Sequence, residues 1–138
     1  MKRAVHVSAW GICLLALVWL AAGCGASQTH LAETGVIHLE QAQIGKVYVA
    51  WSEAYEDGDG FVITGVVRRN DTVGAPIKVK VQAAITSPEG ELVGEAQSED
   101  ICVPRWIATK VQGFERFEIR LPSVPPEGSV VRVVARSS

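Results

Sequence analysis

From residue 36 onward the apolar residues recur with a period of two, the spacing of β-strands. Val47, Val49 and Trp51 alternate with Lys46, Tyr48 and Ser52, with Ala50 interrupting the polar side. That phase predicts a strand with Trp51 in the core. Phe61 to Val67 is apolar on both faces with Gly65 in its middle, the pattern of a central strand. Ile77, Val79, Val81, Ala83 and Ile85 alternate with Lys78, Lys80, Gln82, Ala84 and Thr86, so one face is expected in the core and the other in water. Phe117, Ile119 and Leu121 repeat the pattern, as do Val131, Val133 and Ala135. Shorter strands are expected at Val36–Leu39 and Leu92–Ala96.

Polar turns separate these runs: Glu56-Asp57-Gly58-Asp59-Gly60, Asn70-Asp71-Thr72-Val73-Gly74, Ser87-Pro88-Glu89-Gly90, and Pro122 to Gly128. No stretch after the N-terminal segment keeps a helical period, and prolines at 104, 122, 125 and 126 oppose one in the last third. The expectation is an all-β antiparallel sandwich of seven to eight strands over residues 36–138, following an N-terminal signal helix. The 138 residues suit a single such domain.

The N-terminus is organised differently. Residues 11–22 form an uncharged apolar run of 12 residues, against about 20 for a helix crossing the hydrocarbon core. With Lys2 and Arg3 before it and small residues after it, the run reads as a signal peptide over 1–23. Leu20-Ala21-Ala22-Gly23-Cys24 resembles the lipobox of bacterial lipoproteins, with Ala21 where that family most often has leucine. The resemblance implies cleavage before Cys24, a diacylglyceryl thioether on its sulfur and usually an acyl chain, such as palmitate, on its amino group. The alternative is an ordinary secretory signal cut after Ala22 or Gly23. Residues 24–35 are small, polar and aperiodic, and read as the lipidated cysteine followed by a flexible tether.

Charge and cysteine usage follow from that segment. Removing Lys2 and Arg3 leaves 11 basic against 15 acidic residues, a formal charge of −4. No basic stripe remains, which argues against a nucleic-acid partner. Cys13 leaves with the signal and Cys24 is lipidated, so Cys102 is the remaining thiol. Within the apolar triplet Ile101-Cys102-Val103 it is expected to be buried and inert.

The middle of the chain resembles the immunoglobulin-like domains of bacterial surface proteins, including the group named for a Phe-x-Leu-Tyr-Asp motif. The residues that carry the likeness are Val62 to Asn70, Ile77 to Val93 and Phe114 to Pro122. They run as a glycine-marked strand, a long alternating strand, a tight turn and a strand that begins with aromatics. The naming motif itself is absent. The resemblance implies an immunoglobulin-like sandwich and brings no catalytic residue with it.

Several residues are candidates for chemistry. Asp57 and Asp59 begin like a calcium loop, since hard cations gather carboxylate oxygens. The spacing then fails at Phe61 and Arg68, where oxygen ligands are required. A small-molecule or calcium site in the turn at 56–60 is the alternative function. His30 and His38 read as surface residues, too few for a transition-metal site. No serine or cysteine has a base and an orienting acid at a recognisable spacing, so the chain is expected not to be an enzyme and to hold no cofactor. Arg105 and Trp106 follow Pro104 outside any alternation, a pairing common at interface hot spots, although Trp106 equally suits a small satellite core.

These residues lead to an expected function: a membrane-anchored, non-catalytic binding or accessory module of the cell envelope, with an envelope protein as partner. Gly25 stands after Cys24 where an aspartate would retain an enteric-type lipoprotein in the inner membrane. The resemblance therefore implies the outer membrane, facing the periplasm.

Overall fold

The period-two segments fold as the strands of two stacked sheets. The computed structural model describes residues 29–58, 60–71, 74–104 and 113–137. Eight strands of three or more residues are β2 (His38–Ala42), β3 (Val47–Asp57), β4 (Gly60–Arg69), β5 (Ile77–Thr86), β6 (Leu92–Gln97), β7 (Ile101–Val103), β8 (Phe114–Leu121) and β9 (Val130–Ser137). A two-residue strand, β1 (Thr29–His30), precedes them. The described residues contain no helix.

The first sheet has the order β1-β3-β4-β8. The second runs β2-β9-β5-β6, with β7 also paired to β5. Between them lies one apolar cluster. Phe61, Ile63 and Val67 enter it from β4, Val79, Val81 and Ala83 from β5, Ile119 from β8, and Val131 and Val133 from β9. Each of the Phe, Ile and Val side chains contributes roughly 1.5–3 kcal/mol by leaving water, and strict alternation in β5 delivers a core residue at every second position.

The turns use the expected residues. Asp57 pairs with Gly60, leaving a two-residue loop that starts with Gly58 at φ 62°, the left-handed conformation such hairpins require. In the β5–β6 hairpin the Ser87 amide donates to the Glu91 carbonyl at 2.8 Å, and the Gly90 amide returns to the Ser87 carbonyl at 2.9 Å.

Two expectations are corrected. The sandwich is not wholly antiparallel: β2 lies parallel to β9, with His38 opposite Val130 and Ala42 opposite Val134. The fold also begins before residue 36. Thr29 and His30 pair with Glu56 and Tyr55 of β3, and Leu31 is 4% exposed in the core. Leu31 is the one large apolar residue of the supposed tether 24–35, and a single apolar residue carries no period to read. The Thr34 hydroxyl donates to the His30 carbonyl at 3.1 Å within the turn that leads into β2. Residues 1–28, including the signal segment and Cys24, lie outside the described residues.

Candidate functional site

Trp51 is the first sign of a site. It is 50% exposed, not in the core. The β3–β4 register slips between Val49 and Trp51, so Val49 faces Val67 and Trp51 faces Val66. One extra residue, Ala50, forms a β-bulge, and a bulge moves every later side chain to the opposite face. Val47 and Val49 point inward before it, and Ala54 points inward after it. Trp51 is thereby turned onto the outer face of the first sheet. The Ala50 interruption of the polar side was the signal in the sequence.

The register then defines rows across that face. Tyr48 stands beside Arg68 and Phe114, and Trp51 beside Val66 and Arg116. Glu53 stands beside Thr64 and Glu118, and Tyr55 beside Val62 and Arg120. Val62 is 1% exposed despite facing outward, in the row it shares with Tyr55 and Arg120. Four aromatic residues, Tyr48, Trp51, Tyr55 and Phe114, are thus placed on one sheet face.

The two ends of this face differ electrically. At the β3–β4 turn three carboxylates gather around one guanidinium and the His30 ring. His30 Nδ1 lies 2.7 Å from Glu53 Oε1. Arg120 Nε donates to Glu118 at 2.6 Å and its Nη1 to Asp57 at 3.0 Å. The Glu118 bond, then the Asp57 bond, raise the Arg120 guanidinium above its ordinary pKa. At the other end Arg68 sits 6.0 Å from the Phe114 ring centroid, a cation–π contact. Neither Arg68 nor Arg116 forms an ion pair among the described residues.

Beyond that end, below the sheet, the buried Arg69 side chain donates through Nε to Asp71 Oδ1 at 2.6 Å and through Nη1 to the Ala75 carbonyl at 2.9 Å. The Arg69 bond holds the Asp71 carboxyl below its usual 3.8. This cluster ties the β4–β5 connection to the sandwich end.

Other residues singled out in the sequence fall elsewhere. The Asp57 carboxylate is turned onto Arg120, and Asp59 lies outside the described residues. Among the described residues no three His, Cys, Asp or Glu side chains converge on a metal-sized space. Arg105 and Trp106 lie outside the described residues.

Cys102 is exposed, which corrects the expectation of a buried thiol. β7 pairs Ile101 with Val79 and Val103 with Ile77. Alternation then sends Val103 inward, 0% exposed, and Cys102 outward opposite Lys78. An apolar triplet in a strand cannot bury all three members on one face. Cys102 lies at the edge of an open cleft between Gln97–Cys102 and Glu115–Arg120. His38 on β2 is at the opposite edge of the second sheet, three strand spacings across and level with Thr86, whereas Cys102 is level with Lys78, eight residues or about 27 Å along β5, too far to act as its base.

Among the described residues the outer face of the first sheet presents aromatic rings and guanidinium groups without ion-pair partners, a surface suited to contact. Compared with protein-family models, with curated proteins and with solved structures, the chain matches none.

Proposed function

We propose that the chain is a bacterial envelope lipoprotein whose sandwich is a non-catalytic binding or accessory module. Residues 1–23 direct export and are removed, and Cys24 carries the lipid. Gly25 directs the protein to the outer membrane, where the domain faces the periplasm. Support for the anchor comes from Leu20-Ala21-Ala22-Gly23-Cys24 and the short apolar run before it. More than one acyl chain is needed for a lasting anchor, since a single chain binds reversibly. The immunoglobulin-like affinity of the sandwich belongs to the same proposal and rests on the strand pattern from Val62 to Pro122.

One observation carries the binding reading. A bulge in β3 takes a tryptophan out of core phase and leaves it half exposed among Tyr48, Arg68, Phe114 and Arg116. Exposed Trp, Tyr and Arg are the residues that dominate binding hot spots. The calcium alternative gains no support, because the Asp57 carboxylate is occupied by Arg120.

A photo-crosslinking residue placed at Trp51 of the full chain, in growing cells, tests this. The expectation is a discrete adduct with an envelope component that is not formed from the same residue placed at Ala84, on the outer face of the second sheet. Equal labelling from both positions would contradict the assignment of the face.

A further inference from the structure

We infer that the cationic aromatic half of the first sheet's outer face binds an acidic polysaccharide, with sugar rings stacked on Trp51 and their carboxylate or phosphate groups held by Arg68 and Arg116. This rests on the binding reading above and names the class of ligand.

The argument starts from charge. The chain is acidic overall, with 15 acidic against 13 basic residues. The two arginines that share the Tyr48 and Trp51 rows nevertheless have no carboxylate partner among the described residues, while Arg120 at the far end of the same face is engaged by both Glu118 and Asp57. Unneutralised guanidinium groups on an acidic protein mark a place for an external anion, and the planar fork of Arg matches a carboxylate or phosphate.

Geometry narrows the anion to one with ring faces. The Tyr48–Arg68–Phe114 row spans two strand spacings, about 10 Å, and lies two residues, about 7 Å, from the Trp51–Val66–Arg116 row. That area accommodates two linked sugar rings. A pyranose presents polarised C–H groups on its face and polar groups around its rim. The face complements the electron-rich surface of an aromatic ring, and the rim complements the flanking arginines. The acidic side chains of a peptide have the charge but no ring of their own to place on Trp51. Cations on the second sheet, such as Lys78 and Arg136, have no aromatic neighbour in their rows. They form a charge-matched control.

The experiment measures binding of the full chain by calorimetry to three polymers: polygalacturonate, poly-glutamate of matched charge, and neutral dextran. Polygalacturonate is expected to bind, more weakly at high salt. Trp51→Ala and Arg116→Glu should each weaken it by about tenfold, the scale of one hot-spot residue, while Arg136→Glu should leave it unchanged. Both altered positions are exposed, and circular dichroism of each variant should match the parent. Equal binding to poly-glutamate, or equal loss with Arg136→Glu, would overturn the glycan assignment in favour of an acidic peptide or bulk charge. Absence of binding to polygalacturonate would overturn it as well. In each of these cases a discrete adduct from Trp51 in cells leaves the binding face standing, and its absence removes both.

Discussion

Gly65 is where the bulge of β3 and the aromatic packing of β8 meet. A Cβ built at this position would meet the Trp51 carbonyl oxygen and lie 2.6 Å from the Phe117 ring. The absence of a side chain lets the bulged backbone approach β4 and lets Phe117 lie across the strand. Gly65→Ala should therefore cost roughly 1–3 kcal/mol, the usual penalty for overpacking. A lower denaturant midpoint with an unchanged slope would show it. The Asp71 carboxylate has a different signature. Its folded pKa is lowered by Arg69, so its contribution to stability is complete above the unfolded value of about 3.8. That contribution is lost as pH falls through the folded value. The deficit of Asp71→Asn relative to the parent should be largest at neutral pH and should shrink under acid. Denaturation at pH 7 and at successively lower pH measures it. A deficit independent of pH would mean that the charge on Asp71 does not stabilise the fold.

At the level of strands, β5 holds the second sheet together by changing partners. It pairs with β6 from Gln82 to Thr86 and with β7 from Ile77 to Val79. At the change, Ser98 replaces the ladder: its buried hydroxyl accepts the Val81 amide at 3.0 Å and donates to the Glu99 carbonyl at 2.8 Å. Ser98→Ala leaves a buried amide without that acceptor, and the expected loss is about 1–3 kcal/mol. Amide exchange at Val81 should accelerate in the same variant. The strands themselves were legible in the sequence wherever alternation was unbroken, as in β5, β8 and β9. Two kinds of information were not. A parallel partner for β9 depends on which distant segment reaches the sheet edge, and His38–Ala42 has no alternation that announces it. A bulge shifts phase without changing composition. Alternation alone therefore places Trp51 in the core, and only the register shows the face built around it. Cys102 is exposed for a different reason: its strand phase, not the apolarity of its neighbours, decides which way it points.

On the proposed reading the whole molecule combines an export signal and a lipid-bearing Cys24 with a sandwich that turns aromatic and cationic side chains outward from one sheet. Thr29 already belongs to the fold, which leaves residues 25–28 between Cys24 and the first strand. Four residues span at most about 14 Å, so a lipid on Cys24 would hold the β1 edge of the first sheet near the headgroups. The aromatic and cationic half lies toward the far end of β3 from its pairing with β1. Such an anchor would leave that half accessible to a polymer in the periplasm. All of this depends on the fate of Cys24. Intact mass of the full-length gene product extracted from membranes is the direct measurement. The account predicts a chain that begins at Cys24 and carries the added mass of a diacylglyceryl group and an acyl chain, with Cys24→Ala abolishing both that mass and membrane association. A membrane-bound Cys24→Ala protein, or a native chain cut near Gly23 with no lipid mass, would contradict it.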